Sequence, residues 1–380
     1  MTRLRVALDV LPLAGELTGV GRFCAGLVGS LVGYEGVELR GYAVARNARS
    51  DTAVAAGALG LGVRTWRIPA RLANALWARA DLLPIEWLIG PVDVVHGTNF
   101  VVPPARHAGR VVTVHDLTAL RYPELCLPAS LAYPRLVERA VRHGAFVHVH
   151  SCFIRDEVRE LLGVDGDRVR VIPPGVDATG RARSARPPAT VDLRPRSTPY
   201  VLALGAVEPR KDLPTLVLAF AELARLHEDL ELVVAGPSGW GEPAFAAAVA
   251  ASGVAQRVVR VGYLEEGERQ SLLGGAEVLA YPTLYEGFGF PPLEAMAAGV
   301  PVVATAGGAV PEVVGDAAVL VPTGDFVALA AGLARVIDDT GLRARLIEAG
   351  RIRAASFNWA SSVTSMMELY REAALDRGSC

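Results

Sequence analysis

Two acidic residues in one short segment are the most informative feature of this 380-residue sequence. Glu286 and Glu294 lie in YEGFGFPPLEAMAAGVP, shortly after an apolar run that predicts a strand at 278–281. A carboxylate repels a phosphate but accepts hydrogen bonds from hydroxyl groups. Vicinal diols of a ribose and of a hexose supply such hydroxyls, so the two glutamates predict contacts with a polyhydroxylated ligand.

The residues between these glutamates favour a ligand-binding turn. Gly287 and Gly289 let the backbone turn sharply and approach a ligand with no Cβ in the way. Pro291 and Pro292 suit the first turn of a helix, where a missing N–H costs no hydrogen bond. Because the free N–H groups of a helix start at the C-terminal end of a strand favour a phosphate, we predict a phosphate beside this turn.

A second charged cluster follows the strand predicted at 200–204. The segment LGAVEPRKDLP places Arg210 and Lys211 just before the helix that Pro214 begins. Arginine can fork across two oxygens and lysine acts as a point charge, so the pair suits a diphosphate. Lys211 is the single lysine among the 38 basic side chains, which leaves 37 arginines. The alternative explanation is a solvated Arg–Lys pair on a loop.

Both halves of the chain show the alternation of strands and helices that would position these clusters. Short runs rich in Val, Leu and Ala alternate with helical stretches, which indicates parallel sheets covered on both faces. We predict strands at 200–204, 230–235, 258–261, 278–281, 301–304 and 318–321 and, more loosely, at 5–11, 37–44, 92–96, 111–115 and 146–150. The fold class is therefore α/β, with two doubly wound, Rossmann-like domains.

An Arg- and Pro-rich stretch at about 178–198 separates the two halves and has the composition of a linker. We therefore place a first domain at 1–190 and a second at 199–380. A last helix, at about 359–376, carries apolar residues on one face. We expect this helix to pack back on the first domain.

Charge and composition exclude several classes of function. The formal net charge of −2 gives no basic excess, so no nucleic-acid partner is expected. No apolar run reaches the ~18 residues that span a bilayer, and four scattered cysteines indicate a reducing, cytoplasmic location. The segment 69–89 leaves two interpretations open, peripheral contact with a membrane surface or, more commonly, packing on its own core; its candidate side chains are Arg71, Trp77, Arg79 and Trp87.

Neither a metal nor a cofactor is expected from the motifs. Asp165 and Asp167 form a DxD pattern, but acidic turns before a strand are common. No HExxH segment or Cys/His cluster indicates zinc. Neither opening strand leads into GxGxxG with an acid ~20 residues further on, which argues against a dinucleotide-dependent oxidoreductase.

Together, the two clusters resemble the retaining glycosyltransferases of family 4, which have the GT-B fold with a cleft between two Rossmann-like domains. The E-x7-E stretch is specific to that superfamily, whereas TGVGR and HDLT resemble its mannosyltransferase-like branch. The segments that carry the resemblance are TGVGR at 18–22, VTVHDLT at 112–118, HSCFIRDEV at 150–158, VIPPGVD at 171–177, EPRKDL, VAGPSGWG, VGYLEEGE and the E-x7-E stretch.

The resemblance implies a role for each matching residue. Arg210 and Lys211 would bind the donor diphosphate and stabilise the leaving group. Glu286 would hold the transferred sugar and Glu294 the ribose. His115 would contact the sugar near its reacting carbon, although a histidine at the end of an apolar strand is often a core residue. Gly19 and Gly21 would form a glycine loop that closes over the phosphates. The backbone of Gly262 and Tyr263 would contact the base. The turn around the sugar would consist of Gly287, Phe288, Gly289 and Phe290.

The same resemblance implies the reaction. The expected activity is transfer of a hexose from a nucleotide-sugar donor to a hydroxyl of a glycan, lipid-linked or small-molecule acceptor. The first candidate for the transferred hexose is mannose, with GDP-mannose as its donor. The alternatives are a UDP-sugar donor, or a phosphorylase or epimerase that uses the same diphosphate site. The acceptor and the oligomeric state stay open.

Overall fold

The chain folds into two α/β units. The structure, a computed structural model, describes residues 3–45, 51–66, 68–79, 82–176 and 198–376, with the backbone alone at 70, 71, 78 and 79. The first unit comprises the described residues of Met1–Gly175 and Asn358–Cys380, and the second those of Val176–Phe357. Residues 177–197, which include nearly all of the expected linker, lie outside the described part of the chain.

A parallel sheet organises the first unit. Its described strands are β1 (Leu4–Asp9), β2 (Val37–Val44), β3 (Val63–Trp66), β4 (Val94–Gly97), β5 (Gly109–Val114), β6 (Phe146–Val149) and β7 (Val169–Val171). Their order across the sheet is β3-β2-β1-β4-β5-β6-β7. The order reverses between β1 and β4, and the carboxyl ends of strands on either side of such a switch point leave a crevice where ligands bind in this fold class.

Helices cover this sheet because its central strands are apolar on both faces. All six residues of β5 are buried, as are Val6, Ala7 and Leu8 of β1. The described helices of this part are α1 (Gly19–Leu31), α2 (Asp51–Ala58), α3 (Ala70–Arg79), α4 (Glu86–Ile89), α5 (Thr118–Arg121), α6 (Tyr133–Arg142) and α7 (Cys152–Leu162).

The second unit repeats this plan with its own core. Its described strands, in the order β10-β9-β8-β11-β12-β13, are all parallel, and the switch point lies between β8 and β11. The strands are β8 (Tyr200–Leu204), β9 (Glu231–Ala235), β10 (Val258–Gly262), β11 (Val278–Tyr281), β12 (Val302–Thr305) and β13 (Val319–Val321). The helices are α8 (Leu213–Leu223), α9 (Glu242–Ala251), α10 (Glu266–Gly274), α11 (Phe290–Ala297), α12 (Val310–Val314), α13 (Phe326–Asp338) and α14 (Thr340–Ala355).

The last helix, α15 (Trp359–Leu375), packs on the first unit, as expected from the sequence. Asn358 caps its start by accepting a hydrogen bond from the Ser361 amide at 2.9 Å. Met366, Met367 and Tyr370 are buried, and burying each such side chain contributes about 1.5–3 kcal/mol. A Cβ at position 109 would lie 2.0 Å from the Ala373 carbonyl oxygen, so the close approach of α15 to β5 requires Gly109.

The expected α/β class is confirmed, with two differences in the first sheet. β3 and β7 were not predicted, and they are its two edge strands. Neither shows a fully buried pattern, and β7 has only three residues. Edge strands face a neighbour on one side only, so their sequences carry a weaker apolar signal.

Candidate active site

The switch point of the second unit brings the two charged clusters of the sequence together. The turn after β8 contains a short 3-10 helix, Pro209–Lys211, and Asp212 follows it in the left-handed conformation, with φ 45°, as the N-cap of α8. The turn after β11 leads through Glu286 to α11. Because β8 and β11 are neighbours, their following turns meet at the carboxyl edge of the sheet.

Glu286 lies between the two cations. Its Oε1 is 2.5 Å from Lys211 Nζ, and its Oε2 is 2.6 Å from Arg210 Nη1. The Thr283 hydroxyl donates to Oε1 at 3.1 Å, and Tyr281 OH is 3.1 Å from Lys211 Nζ. The carboxylate therefore fixes the positions of both cationic side chains.

The electrostatics of this cluster keep Glu286 ionised. Burial alone raises the pKa of Glu286, but the charges of Arg210 and Lys211 outweigh it and lower the pKa to about 2. Glu208 lies 3.3 Å from Arg210 Nη2, so Arg210 is shared by two carboxylates. Lys211 Nζ has three N–H donors, and Glu286 and Tyr281 engage two of them. Lys211 thus has a further N–H for an anionic ligand, and it lines a small pocket with Gly205 and Ala206.

The turn before α11 has the predicted form. Gly289 has φ 108°, which side chains rarely adopt, and it immediately precedes the first residue of the helix, Phe290. Phe288 is buried, and its ring lies 5.3 Å from that of Phe290, edge to face. Pro291 and Pro292 follow within the first turn, as expected. Gly287, Phe288, Gly289 and Phe290 therefore lie beside Glu286, while their contacts with a sugar stay a prediction.

Glu294 has a partner that the sequence interpretation missed. Its carboxylate forms an ion pair with Arg269 of α10, and both side chains are almost fully buried. Arg269 shares the buried face of α10 with Leu272 and Leu273. A charged residue at the apolar spacing of an amphipathic helix is the signal that could have found it. The implied contact of Glu294 with a ribose is untested.

The implied base contact falls at a sharp turn after β10. Gly262 has φ 85°, and its carbonyl oxygen accepts a hydrogen bond from the Gly236 amide at 2.7 Å. Tyr263 follows directly on this turn. Both residues lie at the carboxyl end of an edge strand, and their contact with a base remains a prediction.

In the first unit, the two predicted loop glycines belong to a helix. Gly19 and Gly21 lie in the first turn of α1, which Thr18 precedes in extended conformation. The Arg22 amide donates to Thr18 O at 2.9 Å, which begins the helical hydrogen bonds one residue before Gly19. A Cβ at position 21 would lie 2.8 Å from Pro12 O, so close packing is what requires Gly21. The expected glycine loop is therefore wrong in its local structure.

His115 follows β5 and is buried. Its Nε2 lies 2.9 Å from Thr98 O and its Nδ1 lies 2.9 Å from His150 Nε2. Burial lowers the pKa of His115 to about 4, so the ring is neutral at pH 7. The sequence interpretation missed His150, and also a second buried chain through the side chains of His96, Thr113, His148 and Tyr370. Histidines at the carboxyl ends of three neighbouring strands were the available signal.

The segment proposed for membrane contact divides into a buried and an exposed part. Trp77 is 3% exposed, so for this residue packing on its own core is the interpretation that the structure supports. Trp87 is 61% exposed, with the Arg106 guanidinium 5.3 Å from its ring centroid. The side chains of Arg71 and Arg79 lie outside the described residues. No described helix is both long enough and apolar enough to cross a bilayer.

The acidic DxD pattern has a structural explanation. Asp165 caps a short turn, and its Oδ1 accepts a hydrogen bond from the Asp167 amide at 3.2 Å. Over the residues that the structure describes, no group of His, Cys, Asp and Glu side chains has an arrangement suited to a metal ion.

Two family models match the chain over most of its length. The model described as Glycosyltransferase Family 4 matches residues 17–179, and the model described as Glycosyl transferases group 1 matches residues 191–353. The first matched segment contains His115 and the other buried histidines, and the second contains Arg210, Lys211, Glu286 and Glu294.

Similar proteins are found in bacteria. An O-antigen chain mannosyltransferase B of Escherichia coli is 28% identical over 283 residues, covering 73% of this chain and 74% of the relative. A D-inositol 3-phosphate glycosyltransferase of Salinispora arenicola (strain CNS-205) is 37% identical over 307 residues, covering 76% of this chain and 67% of the relative. The structure of Anabaena HepE in complex with UDP and glucose matches with a TM-score of 0.75 and 16% sequence identity. The match covers 97% of this chain and 100% of the HepE chain. This likeness confirms the GT-B fold.

Proposed function

Because the chain belongs to the group 1 glycosyltransferases, we propose that it moves a hexose from a nucleotide-sugar donor to a hydroxyl group of an acceptor, with retention of anomeric configuration. The proposed donor is GDP-mannose, and the proposed acceptor is a glycan, a lipid-linked sugar or a small molecule. The observation that carries this proposal is the meeting of Arg210, Lys211 and Glu286 at the switch point of the second unit.

In the proposed reaction, the acceptor oxygen bonds to the anomeric carbon as the bond from that carbon to the diphosphate oxygen breaks. The acceptor proton passes to the leaving diphosphate, on the face where the new bond forms. Arg210 and Lys211 stabilise the negative charge that develops on the diphosphate. Loss of one such group typically costs a factor of ~10² to 10³ in kcat. These two cations supply the positive charge, so the proposal needs neither a metal nor a cofactor.

Glu286 has two tasks in this proposal. In the free protein, it holds Arg210 and Lys211 in place through both carboxylate oxygens. Oε1 already accepts from Lys211 and Thr283, whereas Oε2, which contacts Arg210, has a lone pair left to accept a hydrogen bond from a sugar hydroxyl. Glu286 therefore links the position of the transferred sugar to that of the diphosphate. Glu294, held by Arg269, is the proposed acceptor of the ribose hydroxyls.

Two similarities bear on the donor. The Escherichia coli relative is named a mannosyltransferase, which supports mannose. The HepE structure contains UDP and glucose, which supports the alternative of a UDP-sugar donor. A phosphorylase or epimerase would differ from both by acting on the donor without an acceptor.

A donor-binding and turnover experiment tests the proposal. GDP-mannose and UDP-glucose are each titrated into the protein by calorimetry, and nucleoside diphosphate release is then measured with and without a mannoside acceptor. We expect one donor to bind and Lys211→Ala to lower its turnover ~10²-fold or more. Arg225→Ala is the matched control, because Arg225 is an exposed cation of the same unit that, among the described residues, pairs with nearby Glu222. Full turnover in Lys211→Ala would refute the assigned role.

Peripheral membrane contact is a separate part of the proposed partners. Trp87 and Arg106 form an exposed aromatic and cationic pair, which suits a lipid headgroup region. Flotation of the protein with anionic vesicles tests it, with Trp87→Ser as the variant. Equal flotation of the variant and the wild type, or none of the wild type, would rule this contact out.

A further inference from the structure

The crevice between β1 and β4 of the first unit carries side chains to which the proposed reaction gives no role. Asp9 ends β1, and Phe100 follows β4. The Thr98 hydroxyl donates to Asp9 O at 2.7 Å, so the two strand ends are joined across the switch point. Thr98 O also accepts from His115 Nε2 at 2.9 Å. Asp9 and Phe100 thus flank the switch point of their sheet, as the turns after β8 and β11 flank theirs.

Phe100 and Tyr133 form a half-buried aromatic pair at this edge. Their rings are stacked, with centroids 4.8 Å apart and an interplanar angle of 4°. Phe100 also lies edge-on to His115, at 5.5 Å. Its backbone has φ 58°, which is unusual for a bulky residue, and its amide is tied to Thr113 O at 2.9 Å. Backbone strain of this kind collects at ligand sites, where the surrounding structure holds it.

Asp9 adds a carboxyl group without a cationic partner. Its Oδ1 accepts a hydrogen bond from the Leu11 amide at 2.9 Å, and no Lys or Arg of the described residues forms an ion pair with it. Burial raises the pKa of Asp9 to about 7 and outweighs the opposite effect of the Leu11 amide. After burial, the Asp9 charge is the second cause of the raised pKa of Tyr133, so the carboxyl group lies within electrostatic range of the aromatic pair.

We propose that Asp9, Phe100 and Tyr133 form a subsite for the acceptor, and that its ligand is an uncharged sugar ring. This inference rests on the proposed function, because it names the substrate class of that reaction. A carboxylate accepts hydrogen bonds from sugar hydroxyls, and the C–H face of a pyranose packs on aromatic rings. The combination of one polar group and an aromatic surface is typical of small-molecule sites.

The charge of Asp9 also sets what the subsite rejects. Above pH 7, where Asp9 is ionised, a phosphate beside this carboxylate is repelled, and the half-buried setting strengthens the repulsion relative to bulk water. The subsite therefore selects a neutral glycan end or glycoside over a sugar phosphate. Asp9→Asn keeps an oxygen for the Leu11 amide but removes the charge. This variant should weaken binding of a neutral sugar and strengthen binding of a phosphorylated one.

A titration with two matched probes tests the subsite. Dissociation constants of methyl α-D-mannopyranoside and D-mannose 6-phosphate for the whole protein are measured by saturation-transfer NMR at pH 8.5, without donor. We expect the wild type to prefer the neutral probe. In Asp9→Asn, the neutral probe should bind roughly five-fold more weakly, because a charged hydrogen-bond acceptor becomes a neutral one. The phosphorylated probe should bind more tightly.

Two further variants separate this result from a loss of folding. Asp156→Asn is the matched control, because Asp156 is an exposed aspartate of the same unit that pairs with Arg155, and it should change neither constant. Phe100→Leu removes the aromatic surface, so it should weaken the binding of both probes, and the neutral probe should still bind more tightly than the phosphorylated one. Effects of Asp9→Asn in the same direction on both probes, or on neither, would overturn the proposal. So would failure of the wild type to bind the neutral probe or to prefer it.

The same samples keep this inference distinct from the proposed function. Donor turnover is measured on each variant, and it does not enter the probe titration. Loss of the predicted probe discrimination with intact turnover of GDP-mannose or UDP-glucose would refute the subsite alone. Discrimination as predicted, with no donor bound or turned over, would refute the proposed function alone.

Discussion

His115 Nδ1 lies 2.9 Å from His150 Nε2, and this contact fixes which nitrogen of each ring carries a proton. Thr98 O can only accept, so His115 Nε2 carries the proton of its neutral ring. His115 Nδ1 must then accept from His150 Nε2. Both nitrogens of His115 are thereby engaged within the first unit, and a contact with a sugar would use the edge or the backbone of this residue.

This arrangement predicts the tautomers of both histidines. We expect His115 and His150 to be neutral at pH 7 with the proton on Nε2, because burial lowers the pKa of each ring. Long-range ¹H–¹⁵N NMR of the imidazoles reports the protonated nitrogen directly. A proton on Nδ1 of His115 would contradict the inferred direction of the hydrogen bonds.

A second buried chain has its direction set in the same way. His148 Nε2 donates to Ile172 O at 2.9 Å, so Nδ1 accepts from the Thr113 hydroxyl at 2.9 Å. Thr113 Oγ1 then accepts from His96 Nε2, and His96 Nδ1 accepts from Tyr370 OH, each at 2.7 Å. Tyr370 lies on α15, so this chain ties the last helix to the sheet of the first unit.

Tyr370→Phe should therefore destabilise the first unit. The variant removes the donor to His96 Nδ1 and leaves a buried acceptor unsatisfied, which costs about 1–3 kcal/mol. Tyr42→Phe is the matched control, because Tyr42 is also buried and, within the described residues, its hydroxyl makes a long hydrogen bond of 3.4 Å to the His96 carbonyl oxygen. Urea unfolding followed by circular dichroism measures both. Equal losses of unfolding free energy in the two variants would contradict the inferred hydrogen bond from Tyr370 to His96.

Glu286→Gln separates the two tasks proposed for Glu286. Removing its negative charge leaves Arg210 and Lys211 more attractive to anions, so GDP or UDP alone should bind more tightly than to the wild type. If Glu286 also holds the sugar, the affinity of the variant for the sugar nucleotide should increase less than its affinity for the free nucleoside diphosphate, and kcat should fall. Calorimetry with both ligands gives the ratio of the two dissociation constants. Weaker binding of the free diphosphate would contradict the first part.

The ion pair between Arg269 and Glu294 predicts a large cost for losing one partner. Arg269→Met leaves the Glu294 carboxylate buried without its cation, which typically costs about 3–5 kcal/mol. The double variant Arg269→Met, Glu294→Gln should recover part of this loss, because no buried charge remains. Thermal unfolding of the two variants and the wild type tests this order. A double variant less stable than Arg269→Met would contradict it.

The sequence predicted the central strands of both sheets because these strands are apolar on both faces. β5 and β11 show this, since every residue in them is buried. It did not predict β3 and β7, which have few buried residues, although it did predict β10 and β13, the edge strands of the second sheet. The family resemblance implied that Gly19 lies in a loop, but Gly19 is the first residue of α1, because the motif does not distinguish a ligand loop from a closely packed helix start.

The charged cluster of the second unit was predictable because strand ends on either side of a switch point must meet. Lys211 follows β8 and Glu286 follows β11, so the topology brings them together. The E-x7-E motif alone does not contain the partner of Glu294, because Arg269 belongs to the separate helix α10, where its position on the apolar face was the available signal. Asp9 was not predicted either, because a single acidic residue at the end of a strand is not part of a recognisable motif.

The buried histidines of the first unit predict a loss of stability in acid. Burial lowers the pKa of His115 and His148 from 6.5 to about 4, and it also lowers the pKa of His96 and of His150 well below 6.5. Between pH 6.5 and 4, the unfolded chain binds protons that the folded unit excludes, so the free energy of unfolding falls as the pH falls. The slope is about 1.4 kcal/mol per pH unit for each group.

Asp9 opposes this trend, and its variant gives the sharper test. Its pKa is raised from 3.8 to about 7, so between these values the folded state binds the proton and gains stability as the pH falls. Asp9→Asn removes that gain, and the acid loss of stability should become steeper than in the wild type. Urea unfolding between pH 4.5 and 7.5 measures both slopes. A shallower slope in Asp9→Asn would show that Asp9 is not the buried, proton-binding group inferred from its surroundings.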